Sequence, residues 1–205
     1  MTAESVSGFA AAMFILAITP GPGVFAAISQ ALSSGFRSSL ELIAGIVSGD
    51  IVFLMLAILG LSALVHILGD LFFIVRLAGG LYLIRLGWKM FTAKPAVSDT
   101  KTEREKSSGT QRFLSGFLIT LGNPKVILFY AGFLPTFVDL TCLKAYDILI
   151  IAGLIAVILT GVMSAYSYSA SRARKFFAGG KSLRNLNRCA GTVMIVTGML
   201  IAIRQ

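Results

Sequence analysis

Six stretches of predominantly apolar residues, each close to the length that crosses a bilayer, occupy most of this 205-residue chain. A crossing needs about 20 such residues to traverse a hydrocarbon core of about 30 Å. The stretches are 6–32, 42–65, 71–91, 113–134, 148–168 and 189–203. The sixth is short, the first is interrupted, and the others are apolar on all sides, as helices in lipid are. The pattern predicts an all-α membrane protein. Composition agrees, because 13% of residues are charged where a soluble domain carries roughly 25% to cover its surface. That deficit excludes a nucleic-acid-binding domain, an ordinary cytosolic enzyme and a disordered chain. The net charge of +9 is then loop charge on a membrane protein.

The charges sort by side. Arg37 falls between the first two stretches, a basic group from Arg85 to Arg112 at or between the third and fourth, and another from Arg172 to Arg188 between the fifth and sixth. The opposite side holds only Lys144 and Arg204. The positive-inside rule makes the basic side cytoplasmic and puts both termini outside. The asymmetry is weak around the first stretch, which a five-span arrangement treats as re-entrant. Loop 169–188 reads as solvated charge, with a lipid-headgroup site as a second use. The start, Met-Thr-Ala-Glu-Ser-Val, has no basic residue, so the run from Phe9 to Ile18 is expected to be retained as a mature helix. The cysteines, Cys142 and Cys189, form no CxxC or Cys/His cluster, and no cofactor or metal site is encoded.

The two halves of the chain echo each other. Ile18-Thr19-Pro20-Gly21-Pro22 resembles Ile119-Thr120-Leu121-Gly122-Asn123-Pro124, Gly60-Leu-Ser62-Ala63 loosely matches Gly161-Val-Met-Ser164-Ala165, and Gly80 and Gly87 recur as Gly191 and Gly198 at the same spacing. A three-span repeat must be upside down relative to its copy. Inverted repeats with broken helices meeting at the midplane are a common transporter architecture. The organisation expected is a three-helix repeat in 1–91, a polar cytoplasmic connector in 92–112 and a second three-helix repeat in 113–205, together one transmembrane domain, with the first and fourth helices broken near the midplane.

The candidate functional residues lie at that depth. Pro20 and Pro22 remove two backbone donors and Gly21 and Gly23 add freedom, so the first span cannot be one continuous helix. Lipid tolerates such a break only where the freed backbone faces protein or a wet cavity. A kink absorbed by neighbouring helices is the structural alternative; the mirrored Gly122-Asn123-Pro124 favours a functional break. Asp50 follows Glu41 by nine positions through an uncharged stretch, which puts a carboxyl well inside the bilayer. An acid there is costly and faces a cavity or a partner. Lys125, after Asn123 and Pro124, lies near the same depth. A static Asp50–Lys125 bridge fits almost as well as a functional pair. Arg76, Arg85 and Lys89 read as snorkelling edge residues, and His66 as a solvated loop residue. An amino acid complements this set: Asp50 for its ammonium, and Lys125 with the helix N-termini for its carboxylate. Thr19, Gly21, Gly23 and Asn123 line the expected site, and Asp50 is the expected proton carrier.

Several ordered motifs resemble the lysine exporter (LysE/RhtB) superfamily of amino-acid efflux proteins. They are Pro20-Gly21-Pro22, Gly45-xxx-Gly49-Asp50, the Gly79-Gly80 to Gly87 segment with Tyr82-Leu83, Gly116-Phe117 running to Asn123-Pro124-Lys125, and Phe133-Leu134-Pro135 with Val138. The resemblance covers nearly the whole chain. It implies export of amino acids or close derivatives, driven by the proton motive force across a bacterial inner membrane. Exporters of basic amino acids in that family tend to carry a second acid shortly after the Asn-Pro. Leu128 and Phe129 stand there, which resembles the branch handling threonine, homoserine, homoserine lactone or leucine.

Other readings remain beside it. A divalent-metal exporter needs several converging carboxylate, His or Cys ligands, and Asp50 is the only plausible buried one. A membrane thiol–disulfide reductase requires Cys142 and Cys189 to meet, whereas the topology puts them about a membrane thickness apart. A non-transporting scaffold leaves the midplane polar groups as an unexplained cost. Gly45-xxx-Gly49 suits close helix contact, within the chain or in a homodimer.

Overall fold

The computed structural model describes residues 2–59, 108–130, 134–138 and 143–173, with shorter pieces at 81, 84–89, 91–92, 185, 188–189, 191–196 and 199. The expectations for His66, Arg76, Cys142, most of the third stretch, part of the sixth, most of the 92–112 connector and part of loop 169–188 lie outside the described residues. The described regular elements are all helical: α1 (Ala3–Ile18), α2 (Pro22–Ser34), α3 (Phe36–Ile58), α4 (Gly109–Leu121), α5 (Pro124–Leu128), α6 (Leu134–Phe137) and α7 (Ala145–Ala173).

Local chemistry sets their ends. The Thr2 hydroxyl accepts from the Ser5 amide and opens α1, as an N-cap should. α1 stops at Ile18 because Pro20 and Pro22 cannot donate to the preceding turn. α2 starts at Pro22, where a missing N–H costs nothing, and its axis is bent 55° from that of α1. Gly23 lies inside the first turn of α2 rather than in the break. Gly35, at φ +92, turns α2 directly into α3, a conformation that favours glycine. α3 therefore begins at Phe36, and Arg37 and Glu41 belong to its first turns rather than to a loop. A capping box between Ser108 and Gln111 opens α4.

α3 and α7 are each long and apolar enough to cross a membrane, and α1 with α2 makes a third crossing if the bent pair is one span. α7 is longer than the 148–168 expected, and its buried residues Asp147, Ile151, Ile155, Leu159, Met163 and Ser167 recur every fourth position. Leu149 and Val157, off that stripe, are over 70% exposed. Such an apolar exterior belongs in lipid rather than water. The protein is a membrane protein.

α3 and α4 cross at backbone contact. A Cβ on Gly45 would run into the carbonyl of Phe113, and one on Gly116 into that of Leu42. Gly49 faces Thr120, whose Cβ would lie 2.7 Å from an added methyl. The paired positions advance together, so the helices run parallel, and near their N-terminal ends Arg112 forms an ion pair with Glu41. Gly45-xxx-Gly49 is thus occupied within the chain, and a dimer contact through it has no room.

Two apolar clusters fill the interior on either side of the α1–α2 break. One joins Phe9 and Met13 of α1 to Phe53 and Leu54 of α3, to Phe129, Tyr130 and Leu134, and to Ile151 and Ile155 of α7. The other joins Val24 and Ala27 of α2 to Leu42, Ile43 and Ile46 of α3, to Ile119, and to Met163 and Met194.

Candidate functional site

The two helix breaks meet between these clusters. In a helix the amide of residue i donates to the carbonyl of residue i−4. Pro20 therefore leaves Leu16 O without its donor, and Pro22 does the same to Ile18 O. Both carbonyls are satisfied from the second half of the chain. Lys125 Nζ donates to Leu16 O and to Thr19 O, each at 2.7 Å, and Tyr166 Oη donates to Ile18 O at 2.8 Å. The Thr19 hydroxyl turns back to Ile15 O at 2.7 Å. An apolar medium offers no solvent to do this work.

The second break is served locally. α4 ends at Gly122, and Asn123 Oδ1 accepts from the Lys125 amide at 3.2 Å to cap α5, whose first residue is Pro124. The first break has no equivalent: Gly21, in extended conformation, is the N-cap of α2 and makes no side-chain cap. The first amides of α2 that a capping side chain would normally satisfy are left facing the interior.

Between the breaks lies a half-enclosed cavity of about 30 Å³ bordered by Gly21, Gly23, Asp50, Thr120, Asn123 and Lys125, with Val24, Ile46, Leu159 and Met163 as apolar walls. A buried water needs about 10–15 Å³ of such space, so this volume admits a water or two and no amino acid. The site is closed. Asp50 is 1% exposed, and its Oδ1 makes no hydrogen bond of ordinary geometry, the nearby polar group being the Tyr130 hydroxyl. The bridge anticipated between Asp50 and Lys125 is absent, because the ammonium is committed to the end of α1. Equal depth along two helices does not fix direction around them. The structure thus brings together Asp50, Gly21, Gly23, Asn123 and Lys125. Thr19 points away, lining an apolar groove beside α1 with Lys125, Leu128 and Phe137.

Four polar residues at or near the site escaped the sequence reading. Thr120 Oγ1 donates to Ile46 O at 3.3 Å. Tyr130 is fully buried, stacked on Phe53 and edge-on to Phe129. Tyr166 closes the first break, and Ser167 is buried one turn beyond Met163. The prolines announce that Leu16 and Ile18 need donors, but nothing local says which side chains supply them.

The family described as LysE type translocator matches residues 14–205. An uncharacterized membrane protein of Synechocystis sp. is 37% identical over 94% of this chain and 92% of its own length. A leucine efflux protein of Klebsiella pneumoniae is 30% identical over 90% of this chain and 87% of its own. A homoserine/homoserine lactone efflux protein of Salmonella typhimurium is 29% identical over 92% and 91%. No solved structure matches the chain.

Proposed function

The chain belongs to the LysE type translocator family, and from that premise we propose that it exports neutral amino acids or close derivatives in exchange for protons. It is a transporter and not an enzyme. The observation that carries the reading is the cavity between two helix breaks, which a buried carboxyl borders.

Substrate class follows from the lining. Among the lining residues Asp50 is the one acid and Lys125 the one base. That matches a compound with one ammonium and one carboxylate. Asp50 takes the ammonium; the uncapped N-terminus of α2 takes the carboxylate, where exposed amides and the helix dipole favour an anion. Lys125, already spent on two carbonyls, has one N–H left to assist. A basic amino acid would bring a second cation for which the lining has no second acid. The relatives named for homoserine and leucine efflux support the same class.

Transport is read as alternating access in a bacterial inner membrane with the basic loops cytoplasmic. Six spans form two inverted three-helix repeats, 1–91 and 113–205, joined by the 92–112 connector. Supporting this, Gly87 and Gly191, from the third and sixth stretches, meet reciprocally. A Cβ on either would lie 2.5–2.6 Å from the other's carbonyl oxygen. The parallel course of α3 and α4 also fits, since the second and fourth spans would start from one side. A proton arriving from outside neutralises Asp50, frees the ammonium and returns inward. One charge crossing 100 mV is worth about 2.3 kcal/mol, or about fiftyfold accumulation.

Efflux of labelled homoserine, leucine and lysine from preloaded vesicles tests the reading. Homoserine or leucine should leave, lysine should not, and a protonophore should abolish uphill movement. Asp50→Asn, inserted normally, should lose efflux by a factor of about 100 or more. Full activity in that variant removes Asp50 from the mechanism, and equal lysine efflux removes the neutral selectivity.

A further inference from the structure

Buried side-chain oxygens are almost always hydrogen-bonded, and each exception needs a reason. Among the described residues three stand without a hydrogen bond of ordinary geometry: Ser167 Oγ, and Tyr130 Oη and Asp50 Oδ1, whose side chains lie beside each other. Leaving such a group unsatisfied forfeits its interaction with water and is destabilising. They are not scattered. Tyr130 belongs to the cluster on the α1 side of the break, and it packs under Phe53, one turn beyond Asp50 on α3. Asp50 borders the cavity. Ser167 continues the α7 stripe in which Leu159 and Met163 wall that cavity, and it lies toward the Arg172 end of the helix.

We propose that these three oxygens mark the course of the translocation route, with its inner branch opening along α7 past Met163 and Ser167 against α2. This rests on the exporter reading and adds the path to it. An oxygen poorly bonded in the closed state is one that water or substrate pairs when the path opens, so the cost is confined to closure. The residues sealing the inner branch suit opening. Ala27 of α2, which shares a cluster with Met163, is small, and Met163, whose Cε would meet a Cβ on Gly23 at 3.3 Å, is an adaptable thioether. The branch on the other side is sealed by the aromatic group of Phe9, Phe53, Phe129 and Tyr130. Ser167 is thereby assigned a place in the path, although it is four residues from the cavity lining.

Thiol labelling tests this. In a chain whose Cys142 and Cys189 are replaced by serine, a single cysteine is introduced as Ser167→Cys, a near-isosteric change, or as Val157→Cys. A membrane-impermeant maleimide is applied from the side bearing the basic loops. Val157 is 73% exposed and borders an open apolar groove with Phe14 and Ile18, while Ser167 is 0% exposed. Static exposure therefore predicts reaction at 157, and the route predicts it at 167. The expected result is labelling of Ser167→Cys at least tenfold faster than Val157→Cys, slowed by homoserine. Equal or slower labelling at 167 overturns the route. Wild-type efflux measured in parallel separates the two claims. An exporting chain with an unreactive Ser167→Cys loses only the route, and a chain that exports nothing loses the exporter reading.

Discussion

The two helix breaks solve one problem in opposite ways. At Gly122-Asn123-Pro124 the chain caps itself, with the Asn123 side chain closing the first turn of α5. At Pro20-Gly21-Pro22 it does not: acceptors at the end of α1 are held by Lys125 and Tyr166, and donors at the start of α2 are held by no side chain. A self-capped break is scaffold. A break whose acceptors are tied across the protein and whose donors stay open both couples the two halves and keeps a place for an anion. The second break supplies Lys125 to the first, so the two are not interchangeable despite their similar sequences.

The largest effect expected from breaking this contrast comes from Lys125→Met. Two carbonyls in an apolar medium would lose charge-assisted donors, each worth about 1.5–3 kcal/mol. The variant should unfold in detergent with about 3 kcal/mol less stability and should fail to export. Asn123→Ala, the loss of a cap, should cost only about 1 kcal/mol. Equal losses in thermal or denaturant unfolding would mean that the first break is not held from outside.

A second change sharpens the contrast by making the first break resemble the second. Gly21 is extended, at φ −155, and a Cβ there would approach Lys125 Nζ no closer than 3.5 Å, so Gly21→Asn fits. Asparagine would cap α2 and add a few tenths of a kcal/mol. It would also occupy the amides assigned to the substrate carboxylate. The expected outcome is unchanged or slightly raised stability with KM for efflux up about tenfold, the equivalent of one charge-assisted bond. An unchanged KM would move the carboxylate elsewhere.

The sequence discloses what depends on composition or on a single residue's covalent chemistry. Scarcity of charge is a property of the whole chain, so the membrane class was legible. A proline's missing N–H is local, so the break was legible at Pro20 and Pro22. Asp50 was legible because a lone carboxyl at that depth demands a cavity or a partner. The partner of Gly45 and Gly49 was not, since Gly116 and Thr120 meet them only once α3 and α4 run parallel. Lys125 borders the same cavity as Asp50, but its ammonium bonds the end of α1 instead of forming a direct ion pair, because sequence fixes height along a helix but not rotation about it. Tyr166 was invisible: its hydroxyl finds Ile18 O across nearly 150 residues, through packing that no short motif encodes.

The smallest effect concerns that tyrosine, and it tests whether the end of α1 is gripped as one unit. Tyr166→Phe removes a single neutral hydrogen bond, worth about 1 kcal/mol, from a carbonyl two residues beyond Leu16. If each carbonyl were satisfied independently, Tyr166→Phe and Lys125→Met would add. The two acceptors lie on the same last turn, however, and once that turn frays from one side its other carbonyls leave their donors as well. The double variant should then lose less than the sum of the singles, with a coupling of at least about 0.5 kcal/mol, as neighbouring residues in one network display. Strict additivity in the unfolding cycle would mean two separate caps, each of which must release on its own before α1 moves against the second half.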